Sequence, residues 1–286
     1  MLHRIEGLSA LAQRYDVLLS DVWGVIHNGA VSFPAPCAAL ATWRERVGPV
    51  ILVSNSPRPC AEVVLQLDGL GVARGAYSAL ITSGDVTRRL LAERAPGPAY
   101  RIGPERDRPL YEGVDLAFAD LEHAAFISCT GPVDDDVETP EDYRPLLTRA
   151  AARRLPMICA NPDKVVQRGS RLIYCGGALA DLYETLGGEV IMAGKPHAPI
   201  YEAAYARAAE LAGRPVDRAR ILVIGDGLAT DIAGANAQAL DAVFIAAGIH
   251  EAETRDLAGG ADKLAMERLL AEGGVHAAYG MDALAW

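Results

Sequence analysis

Aromatic residues are scarce in this 286-residue chain: 6% in all, with only four phenylalanines and three tryptophans. The core must therefore be largely aliphatic. With 51% hydrophobic residues, the chain can bury a sizeable core in one large domain or two modest ones. Only 22% of residues are charged, and no low-complexity tract appears beyond alanine richness, so disorder is not expected. CxxC spacing is absent. The five cysteines (Cys37, Cys60, Cys129, Cys159 and Cys175) are odd in number, which fits idle or buried thiols in a reducing compartment better than a disulfide framework. No apolar run reaches transmembrane length. The opening MLHRIEGLSALAQRYD carries acids and lacks the apolar h-region of a signal peptide. A cytoplasmic protein with no membrane partner is expected. Basic charge is in deficit: 27 Lys and Arg against 37 Asp and Glu give a net charge of −10. That balance leaves no electrostatic footprint for nucleic acid. It does not exclude a phosphorylated substrate, because a local cation can reverse the field within a cleft.

Short apolar runs alternate with helical patterns. The clearest runs are Val17–Ser20, Val50–Val53, Val190–Ala193 and Ile221–Ile224. Each is continuous, which suits strands buried on both faces of a parallel sheet. Helical stretches follow over Ala35–Arg46, Pro59–Leu67, Pro199–Leu211 and Ala229–Leu240. The alternation predicts an α/β fold with a doubly wound, Rossmann-like parallel sheet. The middle of the chain has a different texture: a Pro-, Gly- and Arg-rich stretch near 97–120, strand-like Ala124–Cys129, a helix near Glu141–Arg154 and strand-like Pro156–Ala160. This is read as an inserted smaller α/β unit. The expected division is 1–80 as the first half of the core, 81–189 as the insert and 190–286 as the second half. Asp134, Asp135 and Asp136 read as a solvated acidic loop rather than a metal site, since no further ligand pattern accompanies them.

In open α/β sheets the chemistry sits at the carboxyl ends of the strands. The four clearest runs end in Asp21-Val22-Trp23-Gly24, Ser54-Asn55-Ser56, Gly194-Lys195-Pro196 and Gly225-Asp226-Gly227, the last followed by Thr230-Asp231. A carboxylate can attack phosphorus and split one hard step into two easier ones. Attack by one anion on another needs neutralisation by a carboxylate-held Mg²⁺ and an ammonium group. Hydroxyl and backbone N–H groups can hold the remaining phosphate oxygens. Asp21, Asp226, Lys195 and Ser54 suit these parts.

This set resembles the four motifs of the haloacid dehalogenase superfamily, and most of all its class IIA branch of pyridoxal, nitrophenyl, nucleotide and sugar phosphatases. The resemblance rests on DVWGVIHNG, LVSNSPRP, GKPHAPIY and IGDGLATDIAGA, with ANPD and GGALADLYETLGGE matching the cap and re-entry segments. It implies roles residue by residue. Asp21 would be the nucleophile and a Mg²⁺ ligand, Trp23 would ligate the metal through its carbonyl, and Asp226 would be the second carboxylate on it. Asp231 would act through a metal-bound water or by holding Lys195. Lys195 would neutralise the nucleophile and the transferring phosphoryl group, and Ser54, helped by Asn55, would bind a phosphate oxygen. The insert would be a cap, and association through it as a homodimer is implied. The expected substrate is a small phosphorylated metabolite.

One position departs from the pattern. Phosphatases of the superfamily carry Asp-x-Asp in the first motif, and the second Asp protonates the leaving oxygen. Here that position is Trp23, whose indole cannot exchange a proton usefully near neutral pH. Three readings stay open: a phosphatase with a narrower or slower activity that favours leaving groups needing no proton; a hydrolase of another bond, dehalogenase- or phosphonatase-like; or a protein that binds Mg²⁺ and a phosphorylated ligand without turnover. His27 in the same loop is read as a packed or exposed histidine rather than a substitute acid. Arg58 is read as a solvated helix-start arginine and His197 as a neutral cap. Asn161 and Asp163 either shape a turn or face the substrate. Lys164 is the only lysine in the expected cap.

Overall fold

The strand Val17–Ser20 is buried along its whole length and pairs in parallel register with Ile221–Gly225 on one side and Val50–Ser54 on the other. That burial on both flanks and faces is why its sequence is a continuous aliphatic run rather than an alternation. The computed structural model describes residues 2–168, 171–255 and 260–286. Around this central strand it builds a seven-stranded sheet in the spatial order His3–Arg4, Tyr279–Met281, Asp241–Ile245, Ile221–Gly225, Val17–Ser20, Val50–Ser54, Ala79–Thr82. Every register determined in this sheet is parallel. Its helices carry ordinary start and stop signals. Pro34 opens the helix Pro34–Arg46, with Arg44 and Arg46 in the last turn. The helix Ala198–Ala212 stops where Gly213 adopts a left-handed conformation.

The chain divides into two compact units. The first comprises Met1–Ser54, Val64–Ile81 and Lys195–Trp286; the second comprises Asn55–Val63 and Thr82–Gly194. The second unit has its own four-stranded sheet, in the order Val190–Met192, Met157–Cys159, Phe126–Cys129, Ala99–Ile102, again parallel. The antiparallel pair Val165–Arg168 and Arg171–Tyr174 accompanies it. One hydrophobic cluster, including Ile127, Leu147, Met157, Leu179 and Tyr183, packs within this unit, and a second forms around Leu91, Phe126 and Ile158. Fully burying each such side chain contributes about 1.5–3 kcal/mol.

Several sequence expectations need correction. The run at Val190 is a strand, but Val190–Met192 pairs with Met157–Cys159 in the second unit's sheet and is not a strand of the seven-stranded sheet. A short apolar run says that a strand is buried, not which sheet buries it. The helical stretch expected at Ala229–Leu240 is a wide π-type turn over Leu228–Ile232 followed by a short helix, Ala233–Ala237. His197 stands at the start of the helix Ala198–Ala212, but its side chain makes no capping bond. Cys129, Cys159 and Cys175 are buried free thiols whose pKa values burial pushes up, to about 12 for Cys129.

The acidic loop is also not simply solvated. The Asp135 side chain is only 8% exposed and accepts from Arg168 Nη2 at 2.9 Å and from Arg106. Neighbouring Asp136 accepts from Arg171 Nη1 at 3.2 Å. Burial opposes ionisation of Asp135, but the two guanidiniums outweigh it and hold the carboxyl below its usual range. A depressed folded-state pKa means stability present above the unfolded value of about 4 and lost as pH falls through the folded one. Asp135→Ala is expected to lower stability by about 1–3 kcal/mol near neutral pH. Thermal unfolding should show that difference shrinking below about pH 4; a constant difference down to about pH 2 would contradict the ion-pair origin.

Candidate active site

Parallel register sets the geometry of the site. Ser20 is level with Ile224 and Leu52, so Asp21 leaves its strand beside Gly225, and Asp226 follows one residue later. The Asp21 N–H donates to the carbonyl of Ile224 at 2.8 Å and ties the two strand ends together. The turn Leu228–Ile232 then brings Asp231 back: its Oδ2 accepts from Gly227 N–H at 3.1 Å. Carboxylate oxygens of Asp21, Asp226 and Asp231 thereby lie within 4.8 Å of one another, all three residues being buried. Lys195 opens the return of the chain into the first unit. Its Nζ donates to Asp21 Oδ1 at 2.5 Å and to Asp231 Oδ1 at 2.7 Å. Ser54 ends its strand and is also buried.

The electrostatics of this cluster are unbalanced. Three carboxylates face one ammonium where water is largely excluded. Burial, followed by the charges of Asp21 and Asp231, pushes Asp226 well above the usual carboxylate range. Burial, followed by the charge of Asp21, raises Asp231 to about 6. Burial alone would pull the Lys195 ammonium down, but the carboxylates of Asp21 and Asp231 outweigh it and leave its pKa above its ordinary value. Such a cluster suits a hard divalent cation, which prefers oxygen ligands.

Glycines shape the cluster and the loop beside it, and the motif reading assigned none of them a role: a Cβ at Gly225 would sit 2.2 Å from Asp231 Cγ, and one at Gly248 2.0 Å from Asp226 Oδ2. Gly24 has φ +88°, and a Cβ there would sit 2.1 Å from Asp226 Oδ2. Asp226 Oδ2 also accepts from Ile249 N–H at 2.7 Å. Gly29 has φ +83°, and its Cβ would lie 2.4 Å from the Trp23 ring. The glycines of DVWGVIHNG were visible in the sequence as a signal. The support from Ile249 carried none.

The Trp23 indole, two residues past Asp21, packs edge-on to the His27 ring at 5.1 Å. His27 is buried, and its Nδ1 accepts from Gly29 N–H at 2.9 Å. A nitrogen that accepts this bond carries no proton, so the ring is held as the Nε2–H tautomer. The loop that carries the tryptophan is thus braced around it: Gly24 N–H donates to the His27 carbonyl at 2.8 Å, and Asn28 Oδ1 caps the turn at Ala30 and Val31.

Other residues singled out in the sequence lie in the second unit. Asn55 Nδ2 donates to Asp163 Oδ1 at 2.8 Å, and Asp163 N–H donates to Asn161 Oδ1 at 3.2 Å, so Asn161 shapes the Asn-Pro-Asp turn. Arg58 is half-buried rather than solvated; burial pulls its pKa down, against the nearby charge of Asp107. Lys164 Nζ is paired with Asp181 Oδ2 at 2.5 Å.

Comparisons with known proteins give the family and the fold. A family model described as haloacid dehalogenase-like hydrolase matches residues 18–117, and a second, HAD-hydrolase-like, matches residues 192–271. A hydrolase of the haloacid dehalogenase-like family from Brucella suis is 47% identical, with 98% of this chain and 99% of that chain covered at a TM-score of 0.87. A glycerol phosphate phosphatase from Mycobacterium tuberculosis, solved in complex with magnesium, is 26% identical over 84% of this chain and 70% of that chain, with a TM-score of 0.63. The 5′-nucleotidase YutF of Bacillus subtilis is 27% identical over 244 residues, 84% of this chain and 90% of its own.

Proposed function

The chain belongs to the haloacid dehalogenase-like hydrolase family, and from that premise we propose that it is a Mg²⁺-dependent phosphatase acting on a small phosphorylated metabolite through an aspartyl-phosphate on Asp21. The relatives that are a glycerol phosphate phosphatase and a 5′-nucleotidase support the class of substrate. The observation that carries the reading is Lys195 Nζ held between Asp21 and Asp231, with a carboxylate oxygen of Asp226 within 4.8 Å of an oxygen of each of those two carboxylates.

Each residue then has a part. Asp21 Oδ attacks phosphorus, and the P–O bond to the leaving group breaks as the new bond forms. Water next attacks the same phosphorus, which returns the Asp21 carboxylate and releases inorganic phosphate. Lys195 sits against the nucleophile and neutralises charge on it and on the transferring group. Ser54, with Asn55 next in the chain, holds a phosphate oxygen. Asp21, Asp226 and the Trp23 carbonyl would hold Mg²⁺, with Asp231 keeping Lys195 in place. When bound, the ion supplies Lewis-acid polarisation and offsets the excess of carboxylate charge. Trp23 cannot protonate a leaving oxygen, so the favoured substrates are those whose leaving group departs as a stable anion, such as acyl phosphates. The aromatic residue also invites a dehalogenase reading, but three clustered carboxylates favour metal-assisted chemistry. A Schiff base on Lys164 is disfavoured by its pairing with Asp181.

The test is phosphate release from acetyl phosphate, nitrophenyl phosphate, nucleotides and sugar phosphates, with and without Mg²⁺. Release that needs Mg²⁺ and is fastest with acetyl phosphate is expected. Release indifferent to chelation, or none from any compound, would refute the proposal. Gly24→Ala should weaken Mg²⁺ binding by roughly tenfold or more, because its Cβ displaces the Asp226 carboxylate. Calorimetric titration checks this, and unchanged affinity would remove Asp226 from the ligand set.

A further inference from the structure

We propose that the second unit carries a ligand site of its own, separate from the carboxylate cluster, for an aromatic anion of the nucleoside monophosphate class. A cavity of about 500 Å³ opens beside the strand Ala99–Ile102, the edge strand of the four-stranded sheet. Its lining includes Tyr100, Tyr111, Phe118, Arg101, Arg108 and Glu112. The volume falls within the range of small-molecule sites. In a chain with so few aromatics, three rings around one cavity are a notable concentration.

The rings are fixed, as a stacking surface must be. Tyr111 is buried, and its hydroxyl shares a hydrogen bond with Ser128 Oγ at 3.0 Å. Phe118 meets its ring edge-on at 5.1 Å yet stays 49% exposed. The Phe118 backbone is pinned because Ala99 N–H donates to the Ala117 carbonyl at 2.9 Å and Ala119 N–H donates to the Ala99 carbonyl at 3.1 Å. Arg88 donates to the Leu110 carbonyl at 2.8 Å and to the Glu112 carbonyl at 2.6 Å, which fixes the segment between the rings. Exposed apolar surface on so rigid a frame marks a ligand groove better than a loose surface patch does.

The polar groups define what the rings would stack on. Arg101 and Arg108 are both oriented by Glu105, at 2.9 and 2.7 Å, and their remaining N–H donors suit a phosphate. Glu112 lies in the same lining and accepts hydrogen bonds, so it suits an amino group or a sugar hydroxyl. A flat ring with a donor and an attached phosphate satisfies all three. The site shares no residue with the Asp21 cluster, and the inference does not depend on the reaction proposed above.

Adenosine 5′-monophosphate is the probe. It is titrated calorimetrically into the full-length Asp21→Asn protein with Mg²⁺ and excess inorganic phosphate, which competes for the position beside Lys195. One saturable site is expected, with Phe118→Ala and Arg101→Ala each weakening it by roughly tenfold. The exposed Arg108→Ala, which leaves the packing intact, should weaken it severalfold. The KM for acetyl phosphate in otherwise wild-type protein should not move in any of the three. Absence of saturation up to about 5 mM, equal affinity in all variants, or adenosine binding as tightly as its monophosphate would overturn the proposal.

Discussion

Asp21→Asn should leave the protein folded and lower phosphate release by roughly 10⁴-fold or more, the scale seen when a covalent nucleophile is removed. The fold should survive because the substitution relieves a strain in charge. Three buried carboxylates now face one ammonium, and burial together with the neighbouring charges already pushes Asp226 well above its usual range. An amide at position 21 removes one negative charge, and Lys195 keeps its bond to Asp231 at 2.7 Å. Without Mg²⁺ the variant should therefore unfold at a temperature no lower than the wild type. Thermal unfolding with and without the ion, run beside the activity assay, checks both halves. A variant that unfolds early would mean that the Lys195–Asp21 pair is mainly structural. A variant that keeps more than about a tenth of the activity would mean that Asp21 is not the nucleophile.

Trp23→Asp should act in the opposite direction on ordinary phosphate esters, raising turnover by about 10²–10⁴-fold if the missing proton donor is the only deficit. Acetyl phosphate should gain less, and only through faster breakdown of the phosphorylated enzyme, because its leaving group needs no proton. The contrast between the two substrates is the informative quantity. The substitution also removes an indole that packs against His27 and over Gly29. Losing that contact costs stability, up to about 3 kcal/mol for a half-buried tryptophan. Unfolding temperature must therefore be measured alongside. A folded variant with no gain on esters would show that the loop, built around the indole, no longer presents position 23 to the leaving group.

The sheet edge that carries the candidate site was the most legible part of the fold. Asp21, Ser54 and Asp226 each follow a continuous aliphatic run, and a parallel sheet necessarily delivers the ends of such runs to one edge. Lys195 was found for a different reason from the one its flanking run suggested. Val190–Met192 belongs to the other sheet, and Lys195 follows it as the chain returns to the first unit. Local pattern reports burial and period; membership of a sheet is decided by partners far away in sequence. The same limit hid the Asp135 clamp, whose arginines lie 29 and 33 residues away, and the burial of Arg58 near Asp107. Support for the site through backbone N–H groups was invisible in principle, since Ile249 offers Asp226 nothing its side chain could announce.

Trp23 links the chemistry to a direct test. In the superfamily pattern the absent aspartate is also the group that activates water in the second step, so its loss should slow breakdown of the phosphorylated enzyme. The intermediate is therefore expected to accumulate. Protein quenched in acid during turnover of ³²P-labelled acetyl phosphate with Mg²⁺ should carry label that is released by hydroxylamine, maps to the peptide containing Asp21 and is absent from Asp21→Asn. Steady phosphate release with no label on the protein, or label that persists in Asp21→Asn, would contradict the account.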